Sequence, residues 1–199
     1  MYNFMQNRGI TIIELVVGVG ILAFAIAGPM TLAASGLKAT QDARNELLAT
    51  HLAEEGIEVV HSVRDNNSAQ DIPQDPTYLR WMTNIAIPCT SNGCVVDVTA
   101  HSPLIWGTPL VGCTNAGCAG ENDVYFNPAT GLYRQSTTVL GTPWVPTIFK
   151  RTVSVVPVDA NPPKREVMVT AKVTYPGSRG GVRTITVSEV LYNWFPALH

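Results

Sequence analysis

Charge is scarce in this chain: Asp, Glu, Lys and Arg make up 14% of the 199 residues, and aromatic residues 8%. Lys and Arg number 13 against 15 for Asp and Glu, a formal net charge of −2 with histidine neutral, and the bases nowhere cluster. A dedicated nucleic-acid surface is therefore not indicated. Signatures of catalysis are missing as well. There is no nucleophile elbow, no phosphate-cradling glycine loop and no paired-carboxylate arrangement, so the chain is not expected to be an enzyme or to hold a cofactor. No histidine pair has metal-ligand spacing: His51 and His61 lie ten apart in a helical stretch, and His101 and His199 are isolated. Packing or solvent-facing roles are expected for all four.

The most informative absence is local. From Leu15 to Ala34 there is no charged side chain. About 20 residues at roughly 1.5 Å each reach roughly 30 Å as a helix, the thickness of a bilayer's hydrocarbon layer. Arg8 and the initial amine precede this run and Lys38 is the next base, so the positive-inside tendency leaves the start of the chain in the cytoplasm and exports everything after Leu37. Hydrophobic residues total 46%, but much of that apolar weight sits in this block. The 14 prolines and 16 glycines fall mostly after Asp65, which marks a compositional break there into short strands and turns. The length suits one globular unit plus a membrane anchor.

Three readings compete for the N-terminal block. One is a plain signal anchor. Another is a cleaved signal peptide, with Arg8 as its basic region, Ile10 to Phe24 as its apolar region and Ala25-Ile26-Ala27 as its small-x-small cut site. Against the cleaved signal, Glu14 interrupts the apolar region near its start and the apolar run continues through Met30, Leu32 and Leu37. The third reading explains Glu14. Gly9-Ile10-Thr11-Ile12-Ile13-Glu14-Leu15-Val16-Val17 resembles the cleavage motif of type IV prepilins, in which a short hydrophilic leader ends in Gly and a Glu stands fifth in the mature chain.

That resemblance implies cleavage between Gly9 and Ile10 by a prepilin peptidase, N-methylation of Ile10, and an assembly role for Glu14. Physics gives independent support. A carboxylate in hydrocarbon is penalised by about 2.5 to 3.5 kcal/mol, less near an interface, so it persists where a partner compensates it. The α-amine freed at Ile10 is cationic at neutral pH, and Glu14 of one subunit can pair with the Ile10 amine of a neighbour as apolar helices stack. Gly18, Gly20 and Gly28 permit close helix approach. Pro29 removes one backbone donor and conflicts with the Ala25 carbonyl, so a kink or loosened turn is expected there. Major subunits usually begin with Phe; here Ile10 comes first, and the leader holds only one basic side chain, which favours a minor pilin or pseudopilin.

Beyond the apolar block, Leu48, Leu52, Gly56, Val59, Val60 and Val63 recur at spacings of three and four, with polar residues filling the other faces. One helix from about Ile10 to Arg64 is predicted, packing its second half on a sheet. Gly56 is tolerable there if a strand approaches closely. Arg64-Asp65-Asn66-Asn67-Ser68 is expected to end it. Leu52 to Val60 together with Arg64 to Asn67 is also similar to a group of prepilin-type proteins.

Ile72 to Pro88 reads as a proline-containing connector, and Val95 to Thr99, Asp123 to Phe126 and Leu132 to Thr138 as short strands, with a hairpin turn at Asn127 to Gly131. Phe149 to Val158, Glu166 to Tyr175 and Val182 to Leu191 carry β-branched alternation, predicting three antiparallel strands beside the long helix. The expected fold class is therefore α+β, and this helix-then-sheet order resembles the pilin fold. Four segments are expected: leader 1–9, membrane and assembly helix 10–37, amphipathic continuation 38–65, and exported β-rich domain 66–199.

Cys89, Cys94, Cys113 and Cys118 form two copies of one Cys-x4-Cys spacing. Outside the membrane, disulfides are expected. Of three possible connectivities the two local bridges are favoured because each closes a tight turn; crossed pairing and a four-thiolate zinc site are the alternatives. A calcium site at Glu121, Asn122 and Asp123 has the oxygen donors but matches no loop motif, and a solvated turn is the simpler account. No metal is expected.

The resemblance implies a structural subunit of a type IV pilus or type II secretion-like filament. It would be held first in the cytoplasmic membrane by lipid and then assembled with other pilin subunits by an assembly platform, for adhesion, motility, DNA uptake or secretion. The alternative is a membrane-anchored extracellular binding domain that never polymerises.

Overall fold

The computed structural model describes residues 9–69, 81–83, 85–98, 109–136, 140–158 and 166–193. It has one long N-terminal helix, α1 (Ile12–Ala69, 58 residues), followed by a C-terminal antiparallel sheet of seven strands, an α+β arrangement compatible with a pilin-like fold. The chain divides into two compact units, one up to Ala43 and one from Arg44 onward.

In the first unit, α1 exposes an apolar surface with no charged side chain from Leu15 to Ala34. Ile13 is 73% exposed and Phe24 84%. Among the described residues this is the one helix long and apolar enough to cross a membrane. Helical structure runs through Pro29, where a kink or loosened turn was expected. Close by, the Thr31 hydroxyl donates to the Gly28 carbonyl at 2.8 Å.

In the second unit, α1 buries Ala49, Leu52, Ala53, Ile57, Val60 and Val63 against the sheet, with Leu48 and Val59 packed at the margin. These positions recur every three or four residues and form one stripe. Gly56 sits on the stripe where the sheet comes closest: a Cβ there would meet Val153 Cγ2 at 3.1 Å and Ala171 Cβ and Arg151 Cδ at 3.5 Å. The close strand approach foreseen for this glycine is what the packing requires.

The helix does not stop in the Arg64–Ser68 stretch as predicted but continues to Ala69. The reason lies in Asn67, which is buried and whose side-chain amide donates to the Trp81 carbonyl at 3.2 Å and the Thr83 carbonyl at 2.7 Å. Its side chain is used across the fold rather than to turn the backbone.

The short elements are α2 (Ala86–Cys89), β1 (Cys94–Val96), β2 (Leu110–Gly112), a 3-10 turn (Ala116–Cys118), β3 (Asp123–Asn127) and β4 (Leu132–Gln135). The long ones are β5 (Val145–Pro157), β6 (Glu166–Pro176) and β7 (Val182–Tyr192). α2 overlaps the end of the segment expected to be a plain connector, Ile72 to Pro88, of which residues 72–80 and 84 fall outside the described residues. β2 was not anticipated, because three residues set among Pro and Gly carry no readable alternation. The first predicted strand contracts to Cys94–Val96: the next residue, Asp97, turns its carboxylate to Arg134. The third stops at Gln135, whose side chain serves the sheet in another way described below.

The three predicted long strands form the antiparallel run β5-β6-β7, with Val153 opposite Ala171 and Ala171 opposite Val187. β5 starts four residues earlier than predicted because Val145 and Pro146 pair with Phe126 and Tyr125 of β3. The β3–β4 hairpin closes at the expected turn, where the Gly131 amide donates to the Asn127 carbonyl at 2.8 Å and Gly131 takes the left-handed φ of 73°.

Candidate functional site

Two regions concentrate the chemistry. The first is the start of α1. Thr11 precedes the helix, and its side-chain Oγ1 accepts from the Glu14 amide at 3.3 Å while its carbonyl accepts from the Leu15 amide at 3.1 Å. Thr11-Ile12-Ile13-Glu14 is thus an N-cap followed by an acid in the first turn, a Thr-x-x-Glu spacing that favours helix initiation at this point. The positive end of the helix dipole favours an anion in that turn. Glu14 is exposed, its carboxylate has no partner among the described residues, and it is surrounded by the exposed Ile12, Ile13, Leu15 and Val17. Gly9 and Ile10 are also exposed and lie just outside the helix. The other leader positions, 1–8, fall outside the described residues.

The second region is a polar and disulfide cluster where β5 changes partners. Cys89 is bonded to Cys94, and Cys113 to Cys118. With all four sulfurs in disulfides, no thiolate remains for the zinc alternative. The two loops clasp each other. Asn92 donates to the carbonyls of Cys113 (3.2 Å) and Thr114 (2.8 Å), and the Cys113 amide donates to the Gly93 carbonyl at 3.0 Å. Gly93 has φ 87°, and a Cβ there would meet Thr152 Cγ2 at 2.8 Å, so the clasp requires glycine.

Glu121 fills the second loop. Its carboxylate accepts from the Thr114 hydroxyl, from the Thr114 amide at 3.0 Å, from the Asn115 amide at 3.1 Å and from the Asn115 side-chain amide at 2.6 Å. The Thr114 hydrogen bonds, first the hydroxyl and then the amide, hold it below the usual carboxylate range, assisted by Asn115 and opposed by partial burial. Asp123 instead faces Lys150, and the Asn122 side-chain amide donates to the Thr152 hydroxyl at 3.3 Å. The three residues weighed as calcium ligands are therefore committed to separate protein partners.

Arg151, on β5, is fully buried and was not singled out from the sequence. Its Nε donates to Gln135 Oε1 at 2.7 Å, Nη1 to the Leu52 carbonyl at 2.9 Å and to Glu55 Oε2 at 2.7 Å, and Nη2 to the Val96 carbonyl at 3.2 Å. Burial lowers its pKa; the charge of Glu55 and the hydrogen bond to it pull the other way. Gln135 completes the arrangement. Its Nε2 donates to the carbonyls of Arg151 (2.8 Å) and Asn122 (3.0 Å), while its Oε1 accepts from the Val96 amide at 3.2 Å. One edge of β5 is paired with β3 up to Lys150 and with β1 at Val153. Gln135 supplies a side-chain amide in the gap, in the manner of a missing peptide group. The available signal was parity: Arg151 shares the alternation of Phe149, Val153 and Val155, all of which face inward.

The two described histidines do not converge. His51 lies 3.3 Å from Glu54 at the surface, and His61 Nε2 lies 3.2 Å from Glu189 Oε2 on β7. His101 and His199 fall outside the described residues. Among the described residues no group of three or more His, Cys, Asp or Glu is placed to hold a metal ion.

No family model matches this chain, and neither does any curated protein or any solved structure.

Proposed function

We propose that this chain is a pilin-like filament subunit, a minor pilin or pseudopilin, released from its leader between Gly9 and Ile10 and assembled through α1. The observation that carries the reading is the position of Glu14: a carboxylate in the first turn of an exposed apolar helix, fifth in the chain counted from Ile10. A charge at that place is costly in lipid, and the amine created at Ile10 is the cation that compensates it on a neighbouring copy. The disulfide-clasped sheet domain then faces outward and carries recognition. The mechanism asks nothing of a cofactor: the apolar side chains of α1 exchange lipid for neighbouring helices, and the Glu14–Ile10 pair sets the axial register.

Intact-mass and N-terminal analysis of the native protein is the test. A mature chain starting at N-methylated Ile10 is the expected result. A chain that keeps Met1 overturns it and leaves the reading of a membrane-anchored binding domain that does not polymerise; a chain cut after Ala27 overturns it too, and frees the domain from the membrane.

A further inference from the structure

The end of the sheet domain near Glu46 is defined by the direction of its strands. Arg183 Nη1 on β7 lies 3.8 Å from Glu46 Oε2 on α1, and His61 lies beside Glu189 further along both, so α1 and β7 run in the same direction. The end near Glu46 therefore also holds the β6–β7 turn, which follows the Pro176–Val182 pair. It holds the start of β5 and the β3–β4 turn too, since Lys150 is opposite Thr174, Thr174 opposite Thr184, and Val145 opposite Phe126.

This rim exposes large apolar side chains: Val182 is 75% exposed, Leu47 63%, Val145 51% and Leu132 50%. The opposite end also exposes Val156, Val158, Met168 and Tyr192, so apolar exposure alone does not set this rim apart; the cations beside its apolar side chains give it the composition of a membrane-interface surface. Arg44 and Arg179 are exposed and have no acidic partner among the described residues. Of the acids nearby, Glu46 faces Arg183 and Asp123 faces Lys150, and Asp42 is also engaged.

We infer that this rim rests on an anionic lipid surface, the headgroup layer of the membrane, while the subunit is still anchored. The inference rests on the membrane reading of Leu15 to Ala34. Chain length brings the two within reach: Arg44 is six residues beyond Lys38, at most roughly 20 Å even for a fully extended chain. The headgroup layer itself extends about 5 to 7 Å beyond the hydrocarbon on each side. Arg44 and Arg179 supply attraction to phosphates, roughly fivefold per cation near an anionic surface, while Leu47, Leu132, Val145 and Val182 enter the interface. The docked rim shields these apolar side chains until assembly removes the subunit from lipid.

The test uses the full-length chain carrying a bimane label at Thr130→Cys, in the β3–β4 turn, or at Val158→Cys, at the opposite end of the sheet. Vesicles are phosphatidylcholine, with or without about a quarter phosphatidylglycerol, plus a headgroup-spin-labelled lipid as quencher. The expected result is quenching at position 130 several times stronger than at 158 in the anionic vesicles. Replacing both cations (Arg44→Gln with Arg179→Gln) or adding molar salt should lower it severalfold, because the attraction is screened. Equal quenching at the two positions overturns the inference. So does quenching at 130 that ignores both charge and salt, and so does protection that depends on protein concentration instead of lipid, which assigns the rim to a second copy. Vesicle flotation of the same samples separates the underlying reading: a chain that fails to float with either vesicle refutes the anchor, whereas one that floats without position-dependent quenching refutes the docking alone.

Discussion

Arg151 Nη1 stands 2.7 Å from Glu55 Oε2, an ion pair that joins the centre of the sheet to the long helix, with the guanidinium fully buried and the carboxylate about one-third exposed. The same guanidinium also reaches β1, through the Val96 carbonyl, and β4, through Gln135. One side chain thus fixes the placement of a helix and three strands. Its hydrogen bonds offset a desolvation that would otherwise exclude a charge from this position.

Removing that cation should be among the most damaging single changes in the domain. Arg151→Met removes one donor each from Gln135 Oε1, Glu55 and two backbone carbonyls, and is expected to lower stability by about 3 to 5 kcal/mol. Glu55→Gln keeps an acceptor near Nη1 and should lose only about 1 to 2 kcal/mol. Guanidinium unfolding followed by tryptophan fluorescence measures both, and equal losses would contradict the network described.

Gly56 provides a steric test. Gly56→Ala gains about 1 kcal/mol of helix propensity but meets a Val153 methyl at 3.1 Å, so the net change is expected to stay within about 1 kcal/mol. Gly56→Leu cannot be accommodated between α1 and the sheet and should lose about 1 to 3 kcal/mol, or more if the strand must move. Thermal unfolding of the two variants side by side distinguishes a packed glycine from a merely tolerated one.

For Glu121 the direction of the pH effect follows from its lowered folded-state pKa. The unfolded chain takes up the proton first as pH falls, so the stabilising contribution is complete above the ordinary carboxylate value of 4.5 and is lost as pH drops through the lower folded value. Hydrogen exchange at the Thr114 and Asn115 amides should accordingly show no extra opening between pH 7 and about 5, beyond intrinsic exchange chemistry, and additional opening below that range. Glu121→Gln should abolish the acid-specific part.

Each disulfide closes a loop of only a few residues, for which chain entropy predicts a stabilisation of about 2 kcal/mol. Because Asn92 and Gly93 of the first loop hold Cys113 and Thr114 of the second, the double replacement Cys113→Ser with Cys118→Ser should also loosen the first loop. Amide exchange at Gly93 and Cys94 reports this, and unchanged exchange there would show that the clasp does not couple the loops.

Under the proposed assembly mechanism, Glu14→Ala should leave vesicle insertion intact, or improve it slightly, yet reduce recovery in sheared filaments at least tenfold. Glu14→Asp is expected to fall between the two, its shorter arm weakening the contact with the neighbouring amine. Immunoblots of membrane and filament fractions measure both quantities. Wild-type filament recovery of the Ala variant would remove Glu14 from the mechanism.

Much of the architecture was legible because it follows from periodicity. The uncharged run from Leu15 to Ala34, the three-and-four spacing of Leu52, Val60 and Val63, and the alternation in the three long strands each report a local surface that must be buried or placed in lipid. The Thr11-x-x-Glu14 capping spacing was not read from the sequence and emerged only with the helix start. Short elements were not legible either. β2 and α2 are three and four residues long, and they are ordered by neighbours distant in the chain rather than by their own propensity.

By itself the sequence determined an apolar helix, a long amphipathic continuation and an antiparallel sheet, since each depends on patterns contained within a few turns or one strand. Tertiary structure alone decided that Asn67 spends its amide on Trp81 and Thr83 so that α1 runs on to Ala69, that Gln135 bridges the gap along β5, and that Arg151 is buried against Glu55. A polar side chain's partner is set by which backbone groups remain unpaired once the strands have met, and that condition is written nowhere in its local sequence.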